Sequence, residues 1–315
     1  MLSDPAARSM RLLEKLAEPV DLVVGNDPEF IAAHAPSADV IAVGSSEAAL
    51  LRMAFPLAER VRWVHSLSAG VEKILFPELV ESPVPLTNGR GVFSRALAEF
   101  AIAAILFFAK DLRRLVRSQQ AGKWDQFDIE LVRGQVMGVV GFGDIGRETA
   151  RLARSLGMRI VAVRRSPAVG GGEPQVERVY SPAELREMLG ISDYVIVSTP
   201  LTPETRGMIG EAELNAMKET AVIINIGRGP LVTESALVAA LSAHRIRGAA
   251  LDVFDEEPLP DGHPFYALEN VLLSPHSADH TRDWADEAMK VFLENFERFR
   301  VGQPLLNIVD KKAGY

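Results

Sequence analysis

Residues 136–146 read VMGVVGFGDIG, an apolar run that passes without a break into a G-x-G-x-x-G turn. The apolar run predicts a strand buried on both faces, and apolar residues at helical spacing in 145–156 predict a helix. A glycine turn in that context is typical of a dinucleotide site, because the helix N-terminus offers free N–H groups to phosphates. A structural turn in another α/β protein stays open as the alternative.

Each glycine of the turn has its own physical reason. Gly141 permits the tight bend, Gly143 lets the backbone approach a pyrophosphate, and Gly146 allows the helix to pack closely on the strand. We therefore assign the whole turn to the cofactor, that is Gly141, Phe142, Gly143, Asp144, Ile145 and Gly146.

Short apolar runs alternate with helical stretches on both sides of the turn, which predicts parallel sheets with helices on both faces. The first series of predicted strands is 20–24, 40–43 and 61–64, with a crossover helix within 47–60. The second series is 136–140, 160–163, 194–198, 222–225, 249–253 and 271–274.

A chain of 315 residues exceeds the usual size of one core, so we expect two domains. The order of elements predicts an α/β fold of two doubly wound, Rossmann-like domains with parallel sheets and a cleft between them. Residues 97–282 would form the dinucleotide-binding domain, and residues 1–96 with 283–315 the substrate (catalytic) domain. Helices at 94–117 and 282–300 would connect the two.

Composition narrows the classes of function. A net charge of −8 argues against a broad surface for nucleic acid or anionic membrane, and the absence of cysteine removes disulfides and thiolate sites. No apolar run approaches the ~20 residues that span a bilayer, and the N-terminus lacks a secretory pattern. The histidine spacings do not suggest a metal site. We therefore predict a cytoplasmic protein with a small-molecule partner, and no nucleic acid, membrane or metal.

The strand after the glycine turn ends in Val163 and is followed by Arg164, Arg165 and Ser166. An NAD-binding unit usually has an acidic residue here, roughly 20 residues after the glycines, which accepts from the ribose 2′-hydroxyl. A guanidinium instead binds a 2′-phosphate with two hydrogen bonds. The sequence therefore predicts NADP(H) in preference to NAD(H), with all three residues at the 2′-phosphate. NAD(H) stays possible, since arginines are also common in solvated loops.

Three chemically distinct side chains follow later strands of the same unit. Arg228 lies between two glycines after 222–225, Glu257 lies beyond 249–253, and His276 follows 271–274. Ligands of open α/β sheets bind outside the carboxyl ends of the strands. A cation there can hold a carboxylate, and an imidazole whose charged form is favoured by a carboxylate can give a proton to a developing alkoxide. Each residue alone also has an ordinary structural interpretation, but together they predict hydride transfer to a carbonyl.

The order and spacing of these motifs resemble the D-isomer-specific 2-hydroxyacid dehydrogenase family over nearly the whole chain. The resemblance implies that His276 is the acid/base, that Glu257 is its ion-pair partner, and that Arg228 binds the substrate with His276. It places Asp252 near the nicotinamide amide and Thr199-Pro200 at the adenine side. We also assign Ile226 and Gly227, which precede Arg228, to the cofactor site.

The first unit contributes to the resemblance through Ser68-Ala69-Gly70-Val71-Glu72, although the family usually has Asp where Glu72 stands. The resemblance implies that the backbone N–H groups of Ala69 and Gly70 receive the substrate carboxylate. Trp124 falls where the family often extends a dimerisation arm, so we expect a homodimer.

With Arg164 at this position, the chain resembles the glyoxylate and hydroxypyruvate reductases of this family that use NADPH. The expected function is reduction of small 2-oxoacids to D-2-hydroxyacids, with hydride to the carbonyl carbon and His276 as proton donor. Two alternatives stay open, a dehydrogenase of a larger or phosphorylated 2-hydroxyacid and a nucleotide-sensing scaffold on the same fold. The roles of His65, close to the substrate loop, and of His280 are not decided by the sequence.

Overall fold

A computed structural model of the chain describes residues 1–16, 19–44, 47–165 and 175–315. Its strands are β1 Val40–Val43, β2 Trp63–Ser66, β3 Leu86–Thr87, β4 Val136–Val140, β5 Arg159–Val163, β6 Arg178–Tyr180, β7 Tyr194–Val197, β8 Val222–Asn225, β9 Gly248–Leu251 and β10 Val271–Leu273. Its α-helices are α1 Pro28–His34, α2 Ala48–Ala54, α3 Pro77–Glu81, α4 Ser94–Ala109, α5 Leu112–Gln120, α6 Asp144–Ser155, α7 Leu185–Ile191, α8 Glu211–Ala216, α9 Glu234–Ser242, α10 Pro264–Ala267 and α11 Trp284–Arg300.

The chain divides into two compact units. The first comprises Met1–Phe93 and His280–Tyr315, and the second comprises Ser94–Asp279. The boundaries expected from the sequence, after residues 96 and 282, lie a few residues beyond these. No helix in the described ranges is long and apolar enough to cross a membrane.

The first unit is built on a parallel sheet in the order β1-β2-β3, in which His65 pairs with Thr87. Its helix α11 packs aromatic side chains on Trp63, whose ring stacks on Phe292 with centroids 5.6 Å apart. Trp63 is fully buried. The burial of these rings holds the last helix on the sheet.

The predicted strand at 20–24 is wrong. Leu2 occupies the edge beside β1, because its N–H donates to Ala42 O (2.8 Å) and it forms parallel bridges with Val43 and Gly25. Residues 20–24 therefore lie beyond Leu2, away from β1, where Leu22 is 39% exposed and the segment forms no regular β-ladder. β-branched composition alone does not make a strand when the neighbouring edge is already paired.

The second unit contains a parallel sheet in the order β6-β5-β4-β7-β8-β9-β10. The chain proceeds outward from β4 to one side and then from β7 to the other, which is the doubly wound arrangement. Strands β4, β7, β8 and β9 are buried along their whole length, as their continuous apolar runs predict. The crevice outside β4 and β7, where the strand order reverses, is the expected ligand site of such a sheet.

The single helix predicted over 94–117 is two helices. The chain breaks between α4 and α5 at Asp111, which has a left-handed φ of +46° and whose carboxylate accepts from Arg114 N–H (3.3 Å). An aspartate before a new helical turn is a frequent N-cap. Strand β6 was not predicted, because among its residues only Tyr180 is buried.

Candidate functional site

The glycine turn joins β4 to α6, and its glycines occupy three different environments. Gly141 has a φ of +94°, and a Cβ there would lie 2.6 Å from the backbone N of Thr199. A Cβ at Gly146 would lie 2.5 Å from the carbonyl oxygen of Gly141, so the helix could not pack as closely. A Cβ at Gly143 would meet nothing within 4 Å. The turn therefore has two glycines required by packing and one beside open space, as a cradle for a pyrophosphate needs.

The end of β5 lies beside this turn, since the Gly141 N–H donates to Val163 O (3.1 Å). Arg164 follows directly, half-buried, with its N–H donating to Tyr180 O (3.2 Å) of β6, and Arg165 is exposed. Ser166, the third residue predicted at the 2′-phosphate, lies outside the described residues. Thr199 and Pro200 follow β7 on the other side of the turn, where Ser198 Oγ donates to Gly141 O (2.9 Å).

The loop that carries Arg228 is held by the buried amide of Asn225 at the end of β8. Its Oδ1 accepts from Gly227 N–H (3.1 Å) and its Nδ2 donates to Arg228 O (2.9 Å). Gly229 allows the loop to touch the next strand end, since a Cβ there would lie 2.0 Å from the carbonyl carbon of Phe254. Arg228 itself is half-buried, and its Nη1 donates to Gly227 O (2.7 Å). Ile226 and Gly227 are buried.

Glu257 and His276 are hydrogen-bonded partners. His276 Nδ1 lies 2.7 Å from Glu257 Oε2, and the other carboxylate oxygen accepts from Phe254 N–H (3.0 Å). The carboxylate is therefore fixed by its own loop and faces the imidazole with one oxygen. The side chain of His276 is 41% exposed and that of Glu257 is 31% exposed, so the pair is accessible from solvent.

Asp252 anchors the loop on which His276 lies. Its Oδ1 accepts from Ser274 Oγ (2.5 Å) and from the N–H groups of Ser277 (2.9 Å) and Ala278 (3.0 Å). Burial raises the pKa of Asp252, and these hydrogen bonds oppose the rise. His276 has a φ of +52°, a conformation that costs a non-glycine residue about 1–3 kcal/mol. The three bonds to Asp252 oppose that cost and hold the imidazole in place.

In the first unit, the loop with Ala69 and Gly70 follows β2 and is tied to the loop after β3. Asn88 Nδ2 donates to Ala69 O (2.6 Å), and Gly89 N–H donates to Ser68 O (3.0 Å). Ala69 and Gly70 are half-buried.

His65 and His280, whose roles the sequence does not decide, both lie in the first unit. His65 is fully buried, with Nδ1 2.7 Å from Thr87 Oγ1, and burial lowers its pKa to about 3. It is therefore neutral and part of the core. His280 stacks on Trp284, with centroids 5.3 Å apart and planes 13° apart.

The second unit thus places a glycine cradle, a guanidinium and an imidazole–carboxylate pair at the carboxyl ends of one parallel sheet. Among the described residues, no group of three or more metal-ligating side chains lies together. Sequence reasoning missed the residues that organise these loops, namely Asn225, Ser274 and Asn88. Asn225 had a usable signal, because a polar amide ending a run of buried apolar residues needs hydrogen-bond partners.

A profile of the family described as D-isomer specific 2-hydroxyacid dehydrogenase, NAD binding domain, matches residues 102–278. The glyoxylate reductase of Aeropyrum pernix is 36% identical over 269 residues, which cover 81% of this chain and 78% of the relative.

Solved structures match over nearly the full length. The NADPH-dependent glyoxylate/hydroxypyruvate reductase of Sinorhizobium meliloti, in complex with NADP and sulfate, has a TM-score of 0.86 and 26% identity, with 98% of this chain and 96% of that one covered. The D-isomer specific 2-hydroxyacid dehydrogenase of Xanthobacter autotrophicus, in complex with NADPH and MES, has a TM-score of 0.83 and 30% identity, with coverages of 98% and 95%.

Proposed function

The chain belongs to the D-isomer-specific 2-hydroxyacid dehydrogenase family of NAD(P)-dependent oxidoreductases, and we propose that it reduces small 2-oxoacids such as glyoxylate and hydroxypyruvate with NADPH. The observation that carries the proposal is the 2.7 Å contact between His276 and Glu257 in the unit that bears the glycine cradle. A protein that only senses a nucleotide has no physical need for an accessible imidazole–carboxylate pair. The proposal includes roles for the residues that would bind the substrate and transfer the proton.

His276 acts as the proton donor. Its Nδ1 contacts Glu257 Oε2 (2.7 Å), which orients the ring, and the imidazolium gives the proton on its Nε2 to the carbonyl oxygen of the substrate. The bound NADPH supplies the hydride that the carbonyl carbon receives. The imidazole is left neutral after the step and regains its proton from solvent, to which it is accessible. In the reverse direction the same neutral imidazole accepts the hydroxyl proton.

Arg228 holds the 2-oxoacid by its carboxylate and carbonyl oxygens, as a guanidinium can with two parallel hydrogen bonds. The backbone amides of Ala69 and Gly70 are proposed as further donors to the carboxylate. Asn225 supports Arg228 by fixing the loop on both sides of it. Asp252 supports His276 through the three bonds at its Oδ1. Contact of Asp252 with the nicotinamide amide is a further part of the proposal.

Arg164 carries the preference for NADPH over NADH. Its position directly after β5, beside the Gly141 turn, is where the 2′-position of the adenosine ribose is expected in this fold. The solved relatives from Sinorhizobium meliloti and Xanthobacter autotrophicus were found with NADP and NADPH, which supports the same preference here.

The test is the loss of NADPH or NADH absorbance with a panel of 2-oxoacids. We expect turnover of glyoxylate or hydroxypyruvate, with a kcat/KM for NADPH well above that for NADH. Absence of turnover with every small 2-oxoacid would overturn the assigned reaction, whereas equal use of NADH would overturn only the role of Arg164.

We propose further that the enzyme is a cytoplasmic homodimer. Large apolar side chains are exposed on the segment after α5, with Trp124 at 92%, Leu131 at 72% and Ile129 at 55%, and an interface with a second copy would bury them. Analytical ultracentrifugation should show a dimer for the natural protein and a monomer for Trp124→Glu. A natural protein that sediments as a monomer at micromolar concentration would contradict this.

A further inference from the structure

Three asparagines of the first unit connect its last helix to the loop at Ala69 and Gly70. Asn295 of α11 is fully buried, its Oδ1 accepts from Leu306 N–H (2.7 Å), and its Nδ2 donates to Leu306 O (3.0 Å). Both backbone polar groups of one residue of the C-terminal tail, Leu306, are thereby satisfied by one side chain. The position of the next residue, Asn307, is therefore set by α11.

Asn307 in turn holds both backbone groups of Asn88. Its carbonyl accepts from Asn88 N–H (3.3 Å), and its Nδ2 donates to Asn88 O (3.2 Å) and to Arg90 O (2.9 Å). Asn307 has a φ of +56°, a region that asparagine adopts more readily than most residues. The tail thus fixes the turn that follows β3.

Asn88, held in this way by Asn307, in turn binds the loop after β2. Its side chain is buried, its Oδ1 accepts from Arg90 N–H (3.3 Å), and its Nδ2 donates to Ala69 O (2.6 Å). The carbonyl of Ala69 and the N–H of Gly70 belong to one planar trans peptide, in which the two groups point in opposite directions. Drawing the Ala69 oxygen toward Asn88 therefore directs the Gly70 N–H away from Asn88 and polarises it.

We propose that Asn88, held by Asn307, is a positioning residue that aims the Gly70 N–H at the carboxylate of the substrate. The inference rests on the proposed function, since it specifies how one donor of the substrate loop acquires its direction. Neither asparagine touches the substrate. Their effect is on binding of the carboxylate, which is equal in the ground state and the transition state, and hence on KM more than on kcat.

The chain offers clean variants for a test. Asn88→Ala removes the amide that holds Ala69, whereas Asn307→Gly removes only the side-chain amide, because glycine keeps the positive φ. The matched control is Asn270→Ala in the second unit, whose Nδ2 likewise donates to a backbone carbonyl, that of Leu241 (3.1 Å).

We expect Asn88→Ala to raise KM for the 2-oxoacid roughly 5- to 20-fold, the effect of about one hydrogen bond at the loop, with kcat within about twofold. Asn307→Gly should act in the same direction and more weakly. The dissociation constant of NADPH should stay unchanged, because its site lies in the other unit, and Asn270→Ala should change neither constant. A fall in kcat with unchanged KM would overturn the proposal.

Two further measurements separate this inference from the proposed reaction. Hydrogen–deuterium exchange of the peptide 66–71 should be faster in Asn88→Ala and unchanged in Asn270→Ala. Calorimetry with oxalate in the presence of NADP should show a weaker dissociation constant for Asn88→Ala by the same factor as KM. If the natural protein turns over no 2-oxoacid, the proposed reaction fails, and exchange and oxalate binding still decide the role of Asn88. Unchanged exchange, or unchanged oxalate affinity, would overturn it.

Discussion

Acidification is expected to destabilise the first unit through one buried histidine. His65 has Nδ1 2.7 Å from Thr87 Oγ1, and the same oxygen accepts from Trp63 Nε1 (2.8 Å). An indole N–H is only a donor, so the hydroxyl proton of Thr87 is available for a neutral imidazole. His65 Nε2 is buried and has no hydrogen-bond partner within the described part of the chain. Protonation would therefore place a charge among Trp63, Thr87 and Phe292 with no acidic side chain of the described residues paired to it.

The size of this pH effect on the free energy of unfolding follows from the difference in the pKa of His65 between the folded and unfolded states. Burial lowers the pKa of His65 to about 3 in the folded protein, against about 6.5 in an unfolded chain. Between pH 6.5 and pH 3 the unfolded state therefore binds a proton that the folded state does not. The contribution of His65 to the free energy of unfolding is thus fully present above pH 6.5 and is lost as the pH falls. Linkage predicts that this residue alone lowers the free energy of unfolding by about 2 kcal/mol between pH 7 and pH 5.

Urea unfolding at these two pH values, followed by tryptophan fluorescence, measures the effect. His65→Asn removes the titrating ring, and His34→Asn, at an exposed position of α1, is the matched control. The difference in stability between pH 7 and pH 5 should be about 2 kcal/mol smaller in His65→Asn than in the natural protein or in the control. An identical pH dependence in all three proteins would refute the reasoning, because His65 would then be protonated equally in both states.

Three other predictions concern the second unit. Gly141→Ala should destabilise the fold by about 1–3 kcal/mol, because residue 141 has a positive φ and a Cβ there would meet Thr199. Gly143→Ala should melt like the natural protein but bind NADPH more weakly. Scanning calorimetry measures the melting temperatures and titration calorimetry the binding, and equal melting temperatures for the two variants would contradict the assignment. Arg164→Ala should raise KM for NADPH roughly 10- to 100-fold and leave KM for NADH unchanged in steady-state kinetics; a parallel rise for both cofactors would argue against a 2′-phosphate site. Asp252→Ala should lower the free energy of unfolding by roughly 3 kcal/mol and speed hydrogen exchange in 274–278, since three donors lose their acceptor; unchanged exchange would show that Asp252 does not hold this loop.

The parallel sheet of the second unit could be predicted because each of its central strands is one apolar run buried on both faces. The predicted bounds of β4 and β8 agree with the structure, and those of β5, β7 and β9 differ by one or two residues. The short edge strand β6 has one exposed and one half-buried residue, so its apolar signal is weak. Residues 20–24 have the apolar composition of a strand, but Leu2 occupies the edge beside β1 where that strand would pair. Local composition does not show that a segment distant in sequence takes this place.

The placement of Arg228, Glu257 and His276, the proposed reactive side chains, could be predicted from the sequence because each follows a strand of a sheet whose strands all end at one edge. The side chains that hold them could not. Asp252 was assigned to the cofactor, and its three bonds to the His276 loop depend on residues 22 to 26 positions away. Asn88 and Asn307 are 219 residues apart, and only the fold shows that they meet.

The most direct test of the central claim is the kcat of His276→Ala, measured as loss of NADPH absorbance with the best 2-oxoacid of the panel. If the imidazole gives the proton to the carbonyl oxygen, kcat should fall by roughly 100-fold or more while the dissociation constant of NADPH stays within about twofold of the natural value. A near-natural kcat in this variant would contradict the assignment of His276 as the acid/base.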